Sequence, residues 1–372
     1  GQCALRAIMR AMFTLDDHEF MQRALRLAEF GLETTTPNPR VGCVLVHDGK
    51  IVGEGWHEKA GEPHAEVHAL RAAGELARGA TAYVTLEPCS HHGRTPPCAE
   101  ALIAAGVSRV VAAMSDPNPL VAGQGLAMLR AAGIETASGL LESEARELNI
   151  GFVSRMTRGR PWLRLKAAAS LDGKTALNNG VSQWITGPDA RQDGHRWRAR
   201  ACAILTGIGT VRDDDPQLNV RAVATTRQPL RVVVDSKLET PLTARILQGG
   251  QVLIAAAVDD EKRANLLRSA GAEVLVLPNA AGKVELKDLL EELGRRGINE
   301  VHAEAGFKLN GSLLREGLVD ELLLYLAPCL IGHAASGVFN LPELATLDGK
   351  RRLQIRDLRQ VGEDIRLIAR PR

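Results

Sequence analysis

A histidine and two cysteines, residue types that bind zinc, occur close together in the first third of the chain. His64 and Glu66 open a predicted helix behind Pro63, Cys89 follows a predicted strand, and Cys98 begins the next predicted helix. One imidazole and two thiolates supply three tetrahedral zinc ligands and leave a fourth position for water, whose pKa zinc lowers. Because Glu66 lies on the same helical turn as His64, its carboxylate could carry a proton from that water to a departing amine.

The order of these residues matches the zinc deaminase signature H-x-E…P-C-x-x-C, with one departure. Eight residues separate Cys89 from Cys98, where the signature has two. The structural alternative is a chance H-x-E together with two ordinary buried thiols. We favour a catalytic zinc centre because His64, Cys89 and Cys98 occur in order at a predicted helix start, after a predicted strand and at a second predicted helix start.

The composition excludes several other classes of function. The 372 residues carry 46 Lys+Arg and 44 Asp+Glu, a formal net charge of +2, and only 3% are aromatic. Neither a basic field nor stacking side chains are thus available for nucleic acid. Six cysteines are too few for a secreted disulfide framework, so we expect the cytoplasm. The longest apolar stretch, residues 322–331, is about half of the roughly 20 residues of a membrane helix.

Apolar periodicity predicts an α/β first domain. A capped helix over residues 16–31 precedes two strands, 41–46 and 51–55, which flank the turn signal Asp48-Gly49. Helices and strands then alternate, as parallel strands joined by crossovers require. The predicted helices span 64–77, 98–105 and 125–132, and the predicted strands span 82–86, 109–113 and 134–137.

A second α/β sheet is predicted after a boundary segment. Residues 149–161 contain three arginines, two glycines and a proline, and we place the cut near Gly159. Helices are expected near 260–270 and 286–293. The predicted strands are 162–168, 203–206, 231–235, 252–256, 273–277, 300–303 and 321–327.

Residues 16–370 resemble the family of bifunctional riboflavin-biosynthesis deaminase/reductases. Two motifs carry the resemblance in the first half, residues 61–70 (GEPHAEVHAL) and 83–98 (YVTLEPCSHHGRTPPC), and the long insertion between the cysteines belongs to that family. In the second half the motifs are residues 165–174 (LKAAASLDGK), 182–186 (SQWIT), 211–216 (VRDDDP) and 304–306 (EAG).

The resemblance implies an α/β fold class with two different domains. A cytidine-deaminase-like three-layer domain is expected over residues 16–158, and a dihydrofolate-reductase-like α/β domain over 159–372. Residues 1–15 would be an N-terminal extension or a remnant of expression. Arg6 and Arg10 without a nearby acid superficially resemble a transit peptide, but the alternative starts Met9 and Met12 favour a remnant or a misplaced start.

For the first domain, the resemblance implies zinc on His64, Cys89 and Cys98, with Glu66 as the catalytic proton carrier. It places the pyrimidine substrate at Asn38, His57, His91 and Arg94. The asparagine amide offers both a donor and an acceptor to an aminopyrimidinone edge, and the arginine suits a phosphate. For His57, and for His92 beside His91, a solvated loop histidine is an equal alternative.

The second domain lacks a G-x-G-x-x-G fingerprint, so its residues alone do not indicate a dehydrogenase. Two glycine turns, in residues 207–210 and 304–312, follow predicted strands. Free backbone N–H groups at such turns bind anions, although most glycine turns serve backbone geometry only.

The resemblance adds NADPH and a ribosyl phosphate to the second domain. It implies NADPH contacts at Ala168, Trp184, Thr210, Ser236, Gly306, Phe307, Lys308, Leu309, Asn310, Gly311 and Ser312. It implies substrate contacts at Ser182, Arg198, Asp214, Leu218, Arg221 and Glu304. Two arginines suit one phosphate. Two alternatives stay open: Arg198 on a solvated helix face, and Trp184 in the core.

We therefore predict two consecutive steps on a small phosphoribosyl pyrimidine in riboflavin synthesis. The first is zinc-dependent hydrolytic deamination of 2,5-diamino-6-(5-phosphoribosylamino)pyrimidin-4(3H)-one to 5-amino-6-(5-phosphoribosylamino)uracil. The second is NADPH-dependent reduction of the ribosyl to a ribityl chain. We expect a homo-oligomer in the cytoplasm, without nucleic-acid or membrane partners. The rivals are a nucleoside, free-base or RNA deaminase, and a non-catalytic zinc-stabilised binding protein in which Glu66 only favours a helix N-terminus.

Overall fold

The structure, a computed structural model, describes residues 13–93 and 95–372. Residues 1–12, most of the expected N-terminal extension, and Arg94, an expected substrate contact, lie outside the described residues. The chain divides into an N-terminal unit, Gly1–Arg158, and a C-terminal unit, Gly159–Arg372. No helix in the described part of the chain is both long enough and apolar enough to cross a membrane.

Five strands form the sheet of the N-terminal unit: β1 (Gly42–His47), β2 (Lys50–Trp56), β3 (Thr81–Val84), β4 (Arg109–Ala112) and β5 (Glu135–Ser138). Their order is β2-β1-β3-β4-β5, with β1 antiparallel to both neighbours and β3, β4 and β5 parallel. The β1–β2 turn has positive φ at Asp48 (50°) and Gly49 (71°), as a two-residue hairpin of this type requires.

Helices cover both faces of this sheet. They are α1 (Leu15–Ala28), α2 (Ala65–Ala73), α3 (Cys98–Ala105), α4 (Gln124–Ala131), α5 (Glu142–Leu148) and α6 (Ile150–Arg158). Alternate residues of β1 point to opposite faces. Leu45 packs with α2, α3 and α4, whereas Val44 packs with α1 and α5. The result is the three-layer α/β/α arrangement that the family resemblance implies.

The C-terminal unit contains a larger, mixed sheet. Its strands are β6 (Trp162–Ser170), β7 (Lys174–Ala176), β8 (Ala203–Gly207), β9 (Leu230–Val234), β10 (Val252–Ala256), β11 (Ala272–Val276), β12 (Glu300–Ala303), β13 (Glu321–Ala327), β14 (Ser336–Gly337), β15 (Leu353–Val361) and β16 (Asp364–Pro371). Nine follow the order β11-β10-β9-β8-β12-β6-β13-β16-β15, parallel as far as β13 and antiparallel beyond it. β7 and β14 form a separate antiparallel pair.

Five helices accompany this sheet: α7 (Pro188–Arg200), α8 (Ile208–Asp214), α9 (Glu261–Ser269), α10 (Leu286–Arg295) and α11 (Phe307–Arg315). One core packs α10 and α11 against strand residues such as Leu165 and Val301. A second core packs α9 against Ile204 and Val233. Short 3-10 helices occur at Glu29–Gly31, Gly74–Ala77, Arg245–Leu247 and Leu347–Gly349.

Several elements differ from the sequence prediction, and α5, α8, β7 and β14 are among those that it does not contain. The boundary segment over residues 149–161 is largely helix α6, because its arginines do not interrupt the helix and Val153 packs against the core. Helix α7 and the β15–β16 hairpin have no counterpart among the predicted elements. α7 is rich in polar residues and β15 is exposed along most of its length, so α7 and β15 lack the apolar periodicity on which the prediction relies.

Candidate active sites

The three expected zinc ligands converge at the ends of two helices in the N-terminal unit. His64 precedes the first residue of α2 in an extended conformation, and Cys98 is the first residue of α3. The His64 Nδ1 atom lies 3.3 Å from Cys98 Sγ and 3.7 Å from Cys89 Sγ. Tetrahedral zinc would separate a nitrogen and a sulfur ligand by about 3.6 Å. The donor set therefore fits zinc, and Nδ1 is the nitrogen that faces it.

The two thiols share one negative charge. A hydrogen bond from the Cys98 thiol lowers the pKa of Cys89 to about 4, and the Cys98 backbone N–H also donates to Cys89 Sγ at 3.2 Å. That hydrogen bond and burial raise the pKa of Cys98. Because zinc binds thiolates, its binding would displace the remaining proton.

Glu66 is buried next to these ligands, in the first turn of α2. Only 4% of the residue is exposed, and burial raises the pKa of its carboxyl to about 7. A group that gains and loses a proton near neutral pH can serve both as a base and as an acid in one catalytic cycle. This is the property that the sequence analysis requires of Glu66.

Asn38 and His57 contact each other instead of lying separately on the surface. The Asn38 side-chain nitrogen is 3.1 Å from His57 Nε2, and His57 Nδ1 is 3.1 Å from the carbonyl oxygen of Pro63. Only 3% of His57 is exposed, and burial lowers the pKa of its imidazole. The alternative of a solvated loop histidine is therefore wrong for His57.

The loop between the two cysteine ligands carries the other expected contacts. His91 and His92 are both exposed, so the solvated-loop alternative holds for His92, which pairs with Glu100 at 3.4 Å. His91 lies near Asp116, and burial chiefly raises the pKa of the Asp116 carboxyl.

Glu87 has a positioning role that the sequence analysis missed. Its buried carboxylate accepts hydrogen bonds from the backbone N–H groups of Asp116 (2.9 Å), Gly123 (3.0 Å) and Leu126 (3.2 Å). These contacts fasten the segment before Cys89 to the start of α4. An acidic residue between an apolar strand and a metal ligand was the available signal, since a buried carboxylate needs donors.

The expected reductase residues surround one cavity in the C-terminal unit, at the carboxyl ends of β6, β8, β9 and β12. Its volume of about 1810 Å³ exceeds the roughly 300–1,000 Å³ of a typical single-ligand pocket. The expected residues that line it are Ala168, Ser182, Trp184, Arg198, Thr210, Asp214, Leu218, Arg221, Ser236, Glu304, Gly306, Phe307, Lys308, Leu309, Asn310 and Ser312. The cavity therefore has room for two ligands side by side.

Gly311 is packed into the fold behind this lining. A Cβ atom at this position would lie 2.3 Å from the carbonyl oxygen of Asn340. The side-chain nitrogen of Asn310 also donates to the carbonyl groups of Ala305 and Val338, each at 3.2 Å. These contacts fix the start of α11, where backbone N–H groups have no helical partner and can bind an anion.

Arg198 and Glu304, two expected substrate contacts, are bound to each other. Two guanidinium nitrogens of Arg198 lie 2.7 and 2.8 Å from the Glu304 carboxylate, and a third donates to the Asn219 carbonyl. The alternative of a solvated helix face is therefore wrong for Arg198. Burial alone would raise the pKa of Glu304, but Arg198 and Lys166 hold it well below its usual range.

Positive charge gathers beside this ion pair. Burial and the neighbouring Arg198 and Arg245 lower the pKa of Arg221, whose backbone N–H donates to His195 Nδ1 at 3.3 Å. Burial and the cations of Arg198 and Arg221 lower the pKa of His195 to about 4. A phosphate placed here would relieve the repulsion among the arginines.

Trp184 lines the cavity with 67% of its surface exposed, and the guanidinium of Arg191 lies 4.4 Å from its ring centre. The core alternative is therefore wrong for this residue.

Lys166, His195 and Arg245 are among the cavity residues that the sequence did not predict. Lys166 carried a signal, since a charged residue interrupts the apolar run of a central strand. His195 lies in a polar stretch without such a signal. Arg245 is an exposed residue between the buried Ala244 and Ile246, a pattern that many surface residues share.

Two family models match the chain. The cytidine and deoxycytidylate deaminase zinc-binding region matches residues 14–114, and the RibD C-terminal domain matches residues 161–367. The riboflavin biosynthesis protein RibD of Escherichia coli is 50% identical over 364 residues, which cover 94% of this chain and 98% of that protein. The RibD protein of Haemophilus influenzae is 49% identical over 373 residues, which cover 97% and 99%.

Solved structures agree with these relatives over nearly the whole length. Acinetobacter baumannii RibD has 47% identity and a TM-score of 0.88, covering 96% of this chain and 99% of that one. A diaminohydroxyphosphoribosylaminopyrimidine deaminase/5-amino-6-(5-phosphoribosylamino)uracil reductase from Thermotoga maritima has 33% identity, a TM-score of 0.85 and the same coverage.

Proposed function

The chain belongs to the RibD family of bifunctional riboflavin-biosynthesis enzymes, and from that premise we propose how its residues perform the two reactions. The protein is a zinc-dependent deaminase and an NADPH-dependent reductase. We propose that the N-terminal unit hydrolyses the 2-amino group of 2,5-diamino-6-(5-phosphoribosylamino)pyrimidin-4(3H)-one. The C-terminal unit then reduces the ribosyl chain of the resulting 5-amino-6-(5-phosphoribosylamino)uracil. This is the pair of activities in the name of the Thermotoga maritima relative.

One observation carries the deaminase assignment: a buried carboxyl with a pKa of about 7 beside a His/Cys/Cys ligand set. Zinc held by His64, Cys89 and Cys98 would activate water for attack on the ring carbon. Glu66 takes a proton from the nucleophile and delivers it to the departing amino group, which leaves as ammonia. Asn38 offers a donor and an acceptor to the pyrimidine edge, and His91 and Arg94 bind the rest of the substrate.

The reductase assignment depends on the two-ligand cavity. NADPH bound there supplies the hydride that reduces the ribosyl carbon. Backbone N–H groups at the start of α11 would hold NADPH together with Ala168, Trp184, Thr210 and Ser236, which line the same cavity. These positions are at the carboxyl ends of parallel strands, where open α/β sheets bind ligands.

Substrate binding occupies the basic end of the cavity. Arg221 binds the substrate phosphate beside the Arg198–Glu304 pair, and Ser182 and Leu218 contact the ribosyl chain. Burial and the neighbouring Asp213 raise the pKa of Asp214, which suits this carboxyl to relay a proton to the opening ring.

Product analysis tests the whole assignment. We expect the purified protein to release ammonia and the ribosylaminouracil from the diaminopyrimidinone without NADPH. With NADPH, mass spectrometry should show the ribityl product. A folded, zinc-loaded protein that forms neither product would overturn the substrate assignment and favour a deaminase of another base. Ammonia without any ribityl product would retain only the first half.

We further propose that the enzyme acts in the cytoplasm as a homo-oligomer. Six cysteines in 372 residues are too few for a secreted disulfide framework, which favours a reducing compartment. Strand β15 exposes three large apolar side chains, Leu353, Ile355 and Leu358, at the end of its sheet. Light scattering would measure the mass of the assembly against the 40.0 kDa of one chain.

A further inference from the structure

We propose that His57 is a positioning residue for the deaminase. It fixes the orientation of the Asn38 amide and thereby decides which position of the pyrimidine edge meets a donor and which meets an acceptor. The proposal rests on the proposed function, in which Asn38 contacts the ring. It gives His57 a role that acts through Asn38, in addition to the substrate contact that the resemblance implies.

The hydrogen bonds of His57 determine where its proton lies. A backbone carbonyl oxygen can only accept, so the 3.1 Å contact between Nδ1 and the Pro63 oxygen places the proton on Nδ1. A neutral imidazole then has a lone pair on Nε2. The Asn38 side-chain nitrogen, 3.1 Å from Nε2, is therefore the donor of that contact.

This assignment determines which polar groups of the Asn38 side chain remain available to a ligand. One N–H of the amide is used by His57, so the side-chain oxygen and the second N–H remain for a ligand. A reversed amide would exchange these two positions. Because Asn38 is partly exposed while His57 is buried, the buried ring sets the orientation and the exposed amide presents it. The class of ligand that fits has an adjacent donor and acceptor on one ring edge.

His57 also fixes Asn38 relative to the ligand segment. Its Nδ1 partner, Pro63, immediately precedes the zinc ligand His64, and the rings of His57 and His64 meet edge to face at 5.5 Å between centres. The His57 backbone N–H donates to the Val41 carbonyl at 2.9 Å. A single buried side chain thus joins the Asn38 turn to the residues that hold the metal.

Two substitutions separate the two hydrogen bonds of the ring. His57→Asn places an amide N–H near the former Nδ1 and keeps the donor to Pro63, but it removes the acceptor for Asn38. His57→Gln places an amide oxygen near the former Nε2 and keeps that acceptor. We expect His57→Asn to lower kcat/KM for deamination about tenfold, the effect of one misplaced polar group, mainly through KM. His57→Gln should stay within about threefold of the unchanged protein.

A double-mutant cycle with Asn38→Ala gives the decisive readout. If His57 acts through Asn38, His57→Asn adds nothing in the Asn38→Ala background. Equal zinc content and unchanged reductase activity exclude a general loss of structure. The proposal would be overturned if the losses of kcat/KM caused by His57→Asn and Asn38→Ala multiplied in the double variant. It would also be overturned if His57→Gln lowered kcat/KM as much as His57→Asn. Failure of the proposed function is a different result, because the unchanged protein would then release no ammonia from the diaminopyrimidinone.

Discussion

The deaminase centre and the reductase cavity treat charge in opposite ways. In the deaminase centre, burial raises the pKa of Glu66 to about 7, and the two thiols share a single negative charge. In the reductase cavity, Arg198 and Lys166 hold the pKa of Glu304 well below its usual range. The first site contains a buried carboxyl that can exchange a proton near neutral pH, and the second contains a buried ion pair, Arg198–Glu304, whose charges stay fixed.

The deaminase centre and the reductase cavity also differ in how many parts of the chain contribute to them. The ligands and Glu66 come from two short stretches of chain, residues 64–66 and 89–98, because a metal centre needs few atoms close together. The reductase cavity collects residues from many loops at the ends of parallel strands, since two extended ligands need a long surface. Substitutions at one site should therefore remove one activity and spare the other.

Loss of a zinc ligand should have the largest effect. Cys98→Ala removes one of three protein ligands and is expected to reduce bound zinc and ammonia release below detection. Reduction of the ribosylaminouracil should remain within about twofold, since its residues lie in the other unit. Metal analysis and the two separate assays measure this, with the exposed Cys329→Ala as a control that keeps both activities. Parallel loss of the reductase would contradict the independence of the sites.

Glu66→Gln should separate metal binding from proton transfer. The amide preserves the shape of the buried side chain but cannot carry a proton, so deamination should fall about 10²–10⁴-fold while zinc stays bound. Ammonia release per bound zinc is the quantity to compare. Residual activity near that of the unchanged protein would show that Glu66 only stabilises the start of α2, as in a non-catalytic zinc protein.

Arg198→Met tests the fixed charges of the cavity. It leaves the buried Glu304 carboxylate without its main partner and should destabilise the C-terminal unit by about 3–5 kcal/mol. The exposed pair Arg212–Glu239 gives a matched control, and Arg212→Met should cost less than about 1 kcal/mol. Urea unfolding followed by tryptophan emission reports this unit, which holds three of the four tryptophans. Equal losses of unfolding free energy in Arg198→Met and Arg212→Met would contradict the conclusion that Arg198 neutralises a buried Glu304 carboxylate.

The sequence predicts the deaminase centre well because its chemistry is local. His64, Cys89 and Cys98 occur at helix and strand ends that apolar periodicity identifies, so their convergence follows from the order of elements. The orientation of His64 does not follow in the same way. Which imidazole nitrogen faces the sulfurs depends on the extended backbone before α2, and only the structure shows that it is Nδ1.

Contacts between residues that are distant in the chain could not be predicted from the sequence. Arg198 pairs with Glu304 across 106 positions, and no local pattern distinguishes that arginine from one on a solvated face. His57 likewise forms its hydrogen bonds with the carbonyl groups of Val41 and Pro63. The residues next to His57 in the sequence do not predict these contacts. The positions of charged and polar side chains depend on partners that are distant in sequence. The burial of apolar residues follows a periodicity that the sequence itself shows.

The smallest predicted effect concerns His195, whose position among the arginines makes the C-terminal unit sensitive to acid. Burial and the arginine charges lower its pKa to about 4, against about 6.5 in the unfolded chain. Above about pH 6.5 the imidazole is neutral in both the folded and the unfolded chain. As the pH falls from 6.5 towards 4, only the unfolded chain takes up the proton, so the folded state loses stability. Between pH 7 and pH 5 the loss is about 2 kcal/mol.

His195→Asn should flatten this part of the pH profile. The asparagine oxygen can still accept the Arg221 backbone N–H, so the substitution removes the titrating group while keeping its hydrogen bond. The free energy of unfolding, measured by tryptophan emission at pH 7 and pH 5, should then change by about 2 kcal/mol less than in the unchanged protein. His333→Asn, at an exposed position of the same unit, should leave the profile unaltered. An unaltered profile in His195→Asn would show that the arginines do not depress this histidine, and the reductase cavity would then share the proton-exchanging character of the deaminase centre.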